Sequence, residues 1–402
     1  MTFRKIVYLL HLWLGLISGL VVFIISFTAC LWILVAELSP LWIKNDSPTI
    51  LARNAPVQPP SVLLKQAEEE LPGKVPTVIV YKNSGSEAFI SYFASEYSHT
   101  LFFNPYSGKL LVNKDNNAKS GADVGGLTHY DVLGFLMRGH RHFWLPFPVG
   151  RPFVGICTLI FVILLLSGMV LWWPKNWRKS SREKSFYIKW RATFKRLNYD
   201  LHNVLGFYVF SVALMLAITG LVYSFPWVSK GLYWVASGGK TKSEWIPVAS
   251  DTTKMDNIPL AAALDTIWNR IKPVGKNWEL YMNIPREKAD TYFIRFSPIS
   301  RLYAQDIYYY DRYTLKEVPG GGIYSQTRYA TASFADFGDR MNSEIHTGSI
   351  GGYPTKILAF FGSLICASLP VTGFIVWYQR KWGKKKRQRN QRQPSASRLE
   401  NP

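Results

Sequence analysis

The chain has 402 residues, with 47 Lys+Arg against 26 Asp+Glu, 48% hydrophobic residues and a mean hydropathy near zero. The mean conceals bunching: 6–36 (31 residues), 152–174 (23), 201–229 (29) and 357–379 (23) contain no charged residue. A bilayer core needs about 20 apolar residues per helical span, so these runs exclude a soluble enzyme, a disulfide-built secreted domain and a disordered chain. All three cysteines, Cys30, Cys157 and Cys366, lie inside them.

In chain order, Arg4 and Lys5 precede a first span over 6–36. That run far exceeds a signal-peptide core and lacks a small-residue exit, so it reads as a retained helix. An outer segment over 38–148 follows, then a second span over 149–174. Next comes a basic stretch over 175–200 with 9 Lys+Arg and 2 acids. A third span over 201–229, a second outer segment over 230–354 and a fourth span over 355–379 lead to the tail 380–402, with 9 basic residues and 1 acid. These stretches with Arg4 and Lys5 carry +17 of the net +21. They share one side if the spans alternate, and the basic side of short flanks is cytoplasmic. Both termini are therefore expected inside. The charge is expected to meet anionic membrane lipid, not nucleic acid.

The two outer segments repeat a pattern. Residues 60–72 read as an amphipathic helix, followed by strands at 76–81, 87–93 and 99–103. Residues 259–272 read as a second helix, followed by strands at 278–283, 291–296 and 306–310. The spans repeat as well. Tyr8-Leu9-Leu10-His11-Leu12-Trp13-Leu14-Gly15 is matched by Tyr199-Asp200-Leu201-His202-Asn203-Val204-Leu205-Gly206. Ser167-Gly168-Met169-Val170-Leu171-Trp172-Trp173 is matched by Thr372-Gly373-Phe374-Ile375-Val376-Trp377-Tyr378. The expected fold is a four-helix transmembrane bundle with two extracytoplasmic α+β modules, internally duplicated.

On these two span starts, the lead His140-Arg141-His142-Phe143-Trp144-Leu145-Pro146, the lead Glu344-Ile345-His346-Thr347-Gly348 and the paired outer modules, the chain resembles the PepSY-associated transmembrane family over nearly its whole length. The resemblance implies a multi-pass protein of the bacterial inner membrane. It also implies kinship with iron-regulated proteins and ferrisiderophore reductases that hold b-type haem between their helices.

His11 lies inside an uncharged run, where ionisable groups are costly and mark function, and His202 repeats it. Neutral imidazole is a good axial ligand of haem iron. The reading is two bis-histidine haem b groups per chain: His11 with His202 nearer the cytoplasm, and His346 with His140 nearer the outside, His142 being the alternative to His140. Gly15 and Gly19 continue the stripe of His11 at one-turn spacing, and Gly206 repeats it. They are read as places of porphyrin approach, with helix packing as the rival. Arg151 and Lys356 could meet propionates or simply anchor at the interface. His129 reads as a loop residue or an outer substrate group, and His99 as a strand residue. No catalytic set is visible.

The expected function is electron transfer from a cytoplasmic or membrane donor to a ferric siderophore or other ferric chelate outside, which is ferric-chelate reductase activity. The alternatives are a regulatory membrane protein that binds through its PepSY-like modules, or a siderophore-uptake component without redox activity.

Overall fold

In chain order the elements are helices α1 (Phe3–Leu38) and α2 (Pro60–Glu70), and strands β1 (Val78–Lys82), β2 (Ala88–Phe93), β3 (Ser98–Phe103) and β4 (Leu110–Asp115). Helices α3 (His129–His142), α4 (Phe147–Trp172), α5 (Lys179–Phe186), α6 (Phe194–Ser224), α7 (Pro226–Ala236) and α8 (Leu260–Ile271) follow. Strands β5 (Glu279–Asn283), β6 (Tyr292–Ser297) and β7 (Asp306–Tyr310) and helices α9 (Ile323–Gln326), α10 (Phe334–Thr347) and α11 (Tyr353–Gln391) complete the chain. The structure, a computed structural model, describes residues 1–41, 56–82, 87–116, 129–174, 176–254, 258–273, 278–299 and 301–391. The last part of the basic tail, 392–402, lies outside the described residues. The chain divides into two compact units: Met1–Ser39, Leu127–Ser229 and Ile345–Pro402 form one, Pro40–Gly126 and Lys230–Glu344 the other.

The first unit is a helical bundle. The helices α1, α4, α6 and α11 are long and apolar enough to cross a membrane, so the protein is a multi-pass membrane protein. Apolar side chains such as Ile17, Leu20, Ile163 and Phe361 stay exposed on the bundle's outside, as expected of helices bathed in lipid. α1 packs against α4 and α11, and α6 packs against the same two helices. α1 and α6 therefore face each other across the diagonal. Arg4 Nη2 donates to the carbonyls of Leu171 (2.6 Å) and Trp173 (3.1 Å), which places the start of α1 beside the end of α4. Toward the opposite end, Lys356 pairs with Glu37 at 2.5 Å.

α3 lies against α1 and α4. It ends abruptly because Phe143 and Trp144 take φ of 56° and 55°. A left-handed non-glycine residue costs about 1–3 kcal/mol, and here the turned-back indole compensates. Trp144 Nε1 donates to the Phe135 carbonyl at 2.9 Å, and its ring covers Gly139, where a Cβ would lie 2.3 Å from it. α10 ends at Gly348, whose φ of 72° suits glycine.

The second unit corrects the expectation of two separate modules. Its strands form one antiparallel sheet in the order β4-β3-β2-β1-β5-β6-β7. The two predicted meanders join through β1 and β5, with Ile79 opposite Met282 and Val80 opposite Tyr281. Each meander alone would leave one side of its first strand open, and joining covers those two edges, leaving only β4 and β7 at the rims. β4, which pairs with β3, is an addition to the predicted strands. α2 and α8 cover one face, where Leu63, Ala67, Leu264 and Ile267 meet Ile79, Ile90, Leu101, Leu280 and Ile294. The tyrosines near β7 divide: Tyr308 and Tyr310 stack on each other, while Tyr309 alternates to the other face.

The turns that follow β3 and β7, 103–109 and 310–316, differ in one anchoring residue. In the first, Asn104 Oδ1 accepts from the N–H groups of Tyr106 and Ser107. In the second, the buried Asp311 accepts from the N–H groups of Asp251, Tyr313 and Thr314 and from the Thr314 hydroxyl. Burial opposes its charge, but these donors together outweigh burial and hold the carboxyl below its ordinary value. Stability from Asp311 is therefore full above the ordinary carboxylate pKa and is lost as pH falls through the lowered one. Asp311→Ala should destabilise the sheet unit at neutral pH by about 1–3 kcal/mol, the usual cost of stranding buried donors. Thermal unfolding of the purified protein measures this. The deficit should shrink toward acid pH, and a deficit that does not vary with pH would count against the carboxylate's role.

Candidate functional site

Four histidines come together as two pairs inside the helical unit. His11 on α1 and His202 on α6 meet across the bundle diagonal, with ring centres 6.4 Å apart and planes at 82°. His140, in the last turn of α3, meets His346, in the last turn of α10, at 5.8 Å and 43°. The metal–nitrogen bonds of imidazole are about 2.0–2.1 Å. Two rings on opposite sides of one metal atom therefore have centres roughly 6 Å apart.

Each imidazole rests its Nδ1 on a neighbouring helix. His202 Nδ1 lies 3.1 Å from the Leu369 carbonyl and 3.0 Å from Thr372 Oγ1. His346 Nδ1 lies 3.1 Å from the Leu216 carbonyl and 3.0 Å from Thr219 Oγ1. His11 Nδ1 lies 2.9 Å from Ser167 Oγ, with the Leu164 carbonyl alongside. His140 Nδ1 lies 2.8 Å from the Ile25 carbonyl. A carbonyl only accepts, so each Nδ1 donates and each neutral ring carries its lone pair on Nε2. Among the described residues no hydrogen bond reaches any of these four Nε2 atoms.

The supporting residues form a fourfold sequence signal that the histidine and glycine spacing did not reveal. Leu164, Leu216, Leu369 and Ile25 are each followed three residues later by a hydroxyl, Ser167, Thr219, Thr372 and Thr28, and then by a small residue. That residue is Gly168, Gly220, Gly373 or Ala29. A Cβ on the three glycines would stand 3.2, 3.1 and 3.0 Å from Cε1 of His11, His346 and His202. These glycines, not those one turn beyond the histidines, lie against the imidazoles. A Cβ on Gly15, Gly19 or Gly206 would meet Leu164 Cδ2, Pro370 Cβ or Leu369 Cδ2 at 3.7, 3.4 and 3.8 Å, which is helix packing.

The remaining candidates lie apart from the pairs. His142 is turned to the Leu145 carbonyl at 2.6 Å, beside Phe147. His129 opens α3 rather than lying in a loop. Both ring nitrogens of His99 have partners, Asn113 Oδ1 and Lys74 Nζ. Arg151 Nε donates to the Tyr223 carbonyl at 2.8 Å, and the Tyr223 ring lies 5.7 Å from His346. The arginine thus stands near the outer pair, whereas Lys356 is occupied by Glu37. Past His202 toward the basic end, a cavity of about 270 Å³ is bordered by Lys195, Arg196, Tyr199 and Arg380 among others.

The helical rise sets the spacing of the pairs. His11 and Ile25, the support of His140, are 14 residues apart, as are His202 and Leu216, the support of His346. Both intervals correspond to about 21 Å along the bundle. Outside the four spans, burial holds the His140 imidazole below its ordinary value. Burial, then the nearness of His140, lowers His346 to about 4. Both rings are accordingly neutral at physiological pH. Among the described residues no group of three or more His, Cys, Asp or Glu gathers anywhere. Each pair therefore brings together two imidazoles without a third His, Cys, Asp or Glu among the described residues.

A four-span bundle with two stacked histidine pairs, joined in one chain to a seven-stranded sheet, defines a duplicated multi-pass membrane protein. The chain belongs to the PepSY-associated TM region family, whose profile matches residues 8–380. No curated protein matches it.

Proposed function

We propose that this protein is a dihaem b-type electron-transfer protein of the bacterial inner membrane that reduces a ferric siderophore or related ferric chelate outside the cytoplasm. The observation that carries the reading is the arrangement of the four imidazoles: paired, each with Nδ1 against a helix carbonyl, and among the described residues with no hydrogen bond at Nε2 and no third His, Cys, Asp or Glu beside them. A haem held by the two histidines of each pair would supply a one-electron Fe(III)/Fe(II) couple, chemistry suited to electron transfer rather than oxygen binding. His11 and His202 would hold the inner group, and His140 and His346 the outer one. Arg151, near the outer pair through Tyr223, would meet a propionate of the outer group. The two pairs, about 14 helical residues apart along the bundle, would pass electrons outward from a donor on the basic, cytoplasmic side. Reduction of the chelated iron to Fe(II) weakens its hold by hard oxygen ligands and releases it.

The test is the absorption spectrum of protein purified after expression with a haem precursor. Two non-covalent, low-spin b-type haems per chain are expected, and colourless protein overturns the reading. His142→Ala should keep both groups, while His140→Ala should lose one, measured by pyridine haemochrome against protein concentration. Loss on His142→Ala with retention on His140→Ala would transfer the outer ligand to His142.

A further inference from the structure

We infer that Ser167, Thr372 and Thr219 are positioning residues whose hydroxyls accept the Nδ1–H of His11, His202 and His346, orienting the rings and adjusting their strength as iron ligands. The fourth support, Thr28-Ala29, leaves His140 on a single acceptor. The inference rests on the haem reading above and assigns a role to side chains outside the ligand set.

The hydroxyls have no other proton to give. Thr372 Oγ1 donates to the Ser368 and Leu369 carbonyls at 3.0 and 3.1 Å. Thr219 Oγ1 donates to the Met215 and Leu216 carbonyls at 2.8 and 3.1 Å. Ser167 Oγ donates to the Leu164 carbonyl at 3.1 Å. A hydroxyl with its one proton committed can only accept from the imidazole. Each of these histidines is thus held at Nδ1 by a hydroxyl and a carbonyl of the same helical turn, and the adjoining glycine lets the ring approach the backbone. Acceptors at the far nitrogen fix ring orientation and raise ligand basicity.

At the fourth support the geometry changes. Thr28 Oγ1 donates to the Ile24 and Ile25 carbonyls at 2.8 and 3.1 Å. Among the described residues His140 Nδ1 reaches the Ile25 carbonyl alone, which it shares with that hydroxyl. Ala29 supplies a methyl where the other three supports have glycine. The inner pair therefore has a hydroxyl acceptor on both sides and the outer pair on one. The two halves of a duplicated chain would present two unlike metal sites.

The experiment is a spectroelectrochemical titration of the purified haem-loaded protein, with low-spin ferric EPR signals recorded in parallel. Thr372→Val removes the hydroxyl at nearly constant volume. It should raise the midpoint potential of the inner haem and shift its EPR signal, leaving the outer haem unchanged. Thr372→Ser should restore both. Thr219→Val should do the same to the outer haem alone. Unchanged potentials and signals in valine variants that retain both haems overturn the positioning role while leaving the haem reading intact. Equal changes at both haems from one substitution overturn it too, because a general loosening would act on both. Wild-type protein without haem sinks both readings. Should a valine variant lose its haem, Ser167→Ala, which keeps the Leu164 carbonyl, provides the same measurement on the inner site.

Discussion

A His202→Ala variant should retain about one haem per chain, and His11→Ala should lose the same one. On the haem reading either substitution would remove one of the two histidines that hold the group, and among the described residues no other His, Cys, Asp or Glu gathers there to replace it. The partner imidazole then faces an empty position with its Nε2 lone pair unused. His140→Ala and His346→Ala should each remove the other haem, leaving the first pair's spectrum in place. The halves can be separated because their supports are separate. His11 and His202 rest on Ser167 and Thr372, whereas His140 and His346 rest on Ile25 and Thr219. Haem content of the four single variants measures this. The pairing is wrong if His11→Ala and His202→Ala remove different haems, or if any single substitution removes both from folded protein.

In proteoliposomes with a strong reductant confined to the side bearing Arg4 and the start of the basic tail, both haems should become reduced. A ferric chelate added on the opposite side should reoxidise them and yield Fe(II), trapped by a colour-forming ligand. On the proposed path, the spacing of about 21 Å between the pairs, 14 helical residues in each half, would make the outer pair the exit. His346→Ala should therefore leave the inner haem reducible and abolish chelate reduction outside. Undiminished Fe(II) formation in that variant would take the outer pair off the path. Wild-type protein that holds both haems yet reduces no ferric chelate would point to another acceptor and retire the reductase proposal.

Much of this was legible in the chain because it depends on local composition. The four uncharged runs determine helices α1, α4, α6 and α11, since a bilayer leaves the backbone no partner except itself. The alternation in 76–81, 87–93 and 278–283 determines strands. His11 and His202 stand out because an ionisable group in an uncharged run has a cost that calls for a reason.

Tertiary structure alone decided the rest. Whether two meanders make two sheets or one depends on the pairing of β1 with β5, whose residues are about 200 positions apart and carry no local mark of each other. α3 and α10 were absent from the sequence reading because they are short and mixed in polarity, and their histidines gain meaning from helices distant in sequence. In the chain His140 is the favoured ligand and His142 its alternative. The two rings part because α3 stops at two left-handed residues, leaving one against Ile25 and the other against Leu145. The glycines follow the same logic. Gly15, Gly19 and Gly206 align with histidines on their own helices, yet a side chain extends outward to a neighbouring helix. The small residues it meets there, Gly168, Gly220 and Gly373, are thus fixed by how the spans pack and not by their distance along the chain.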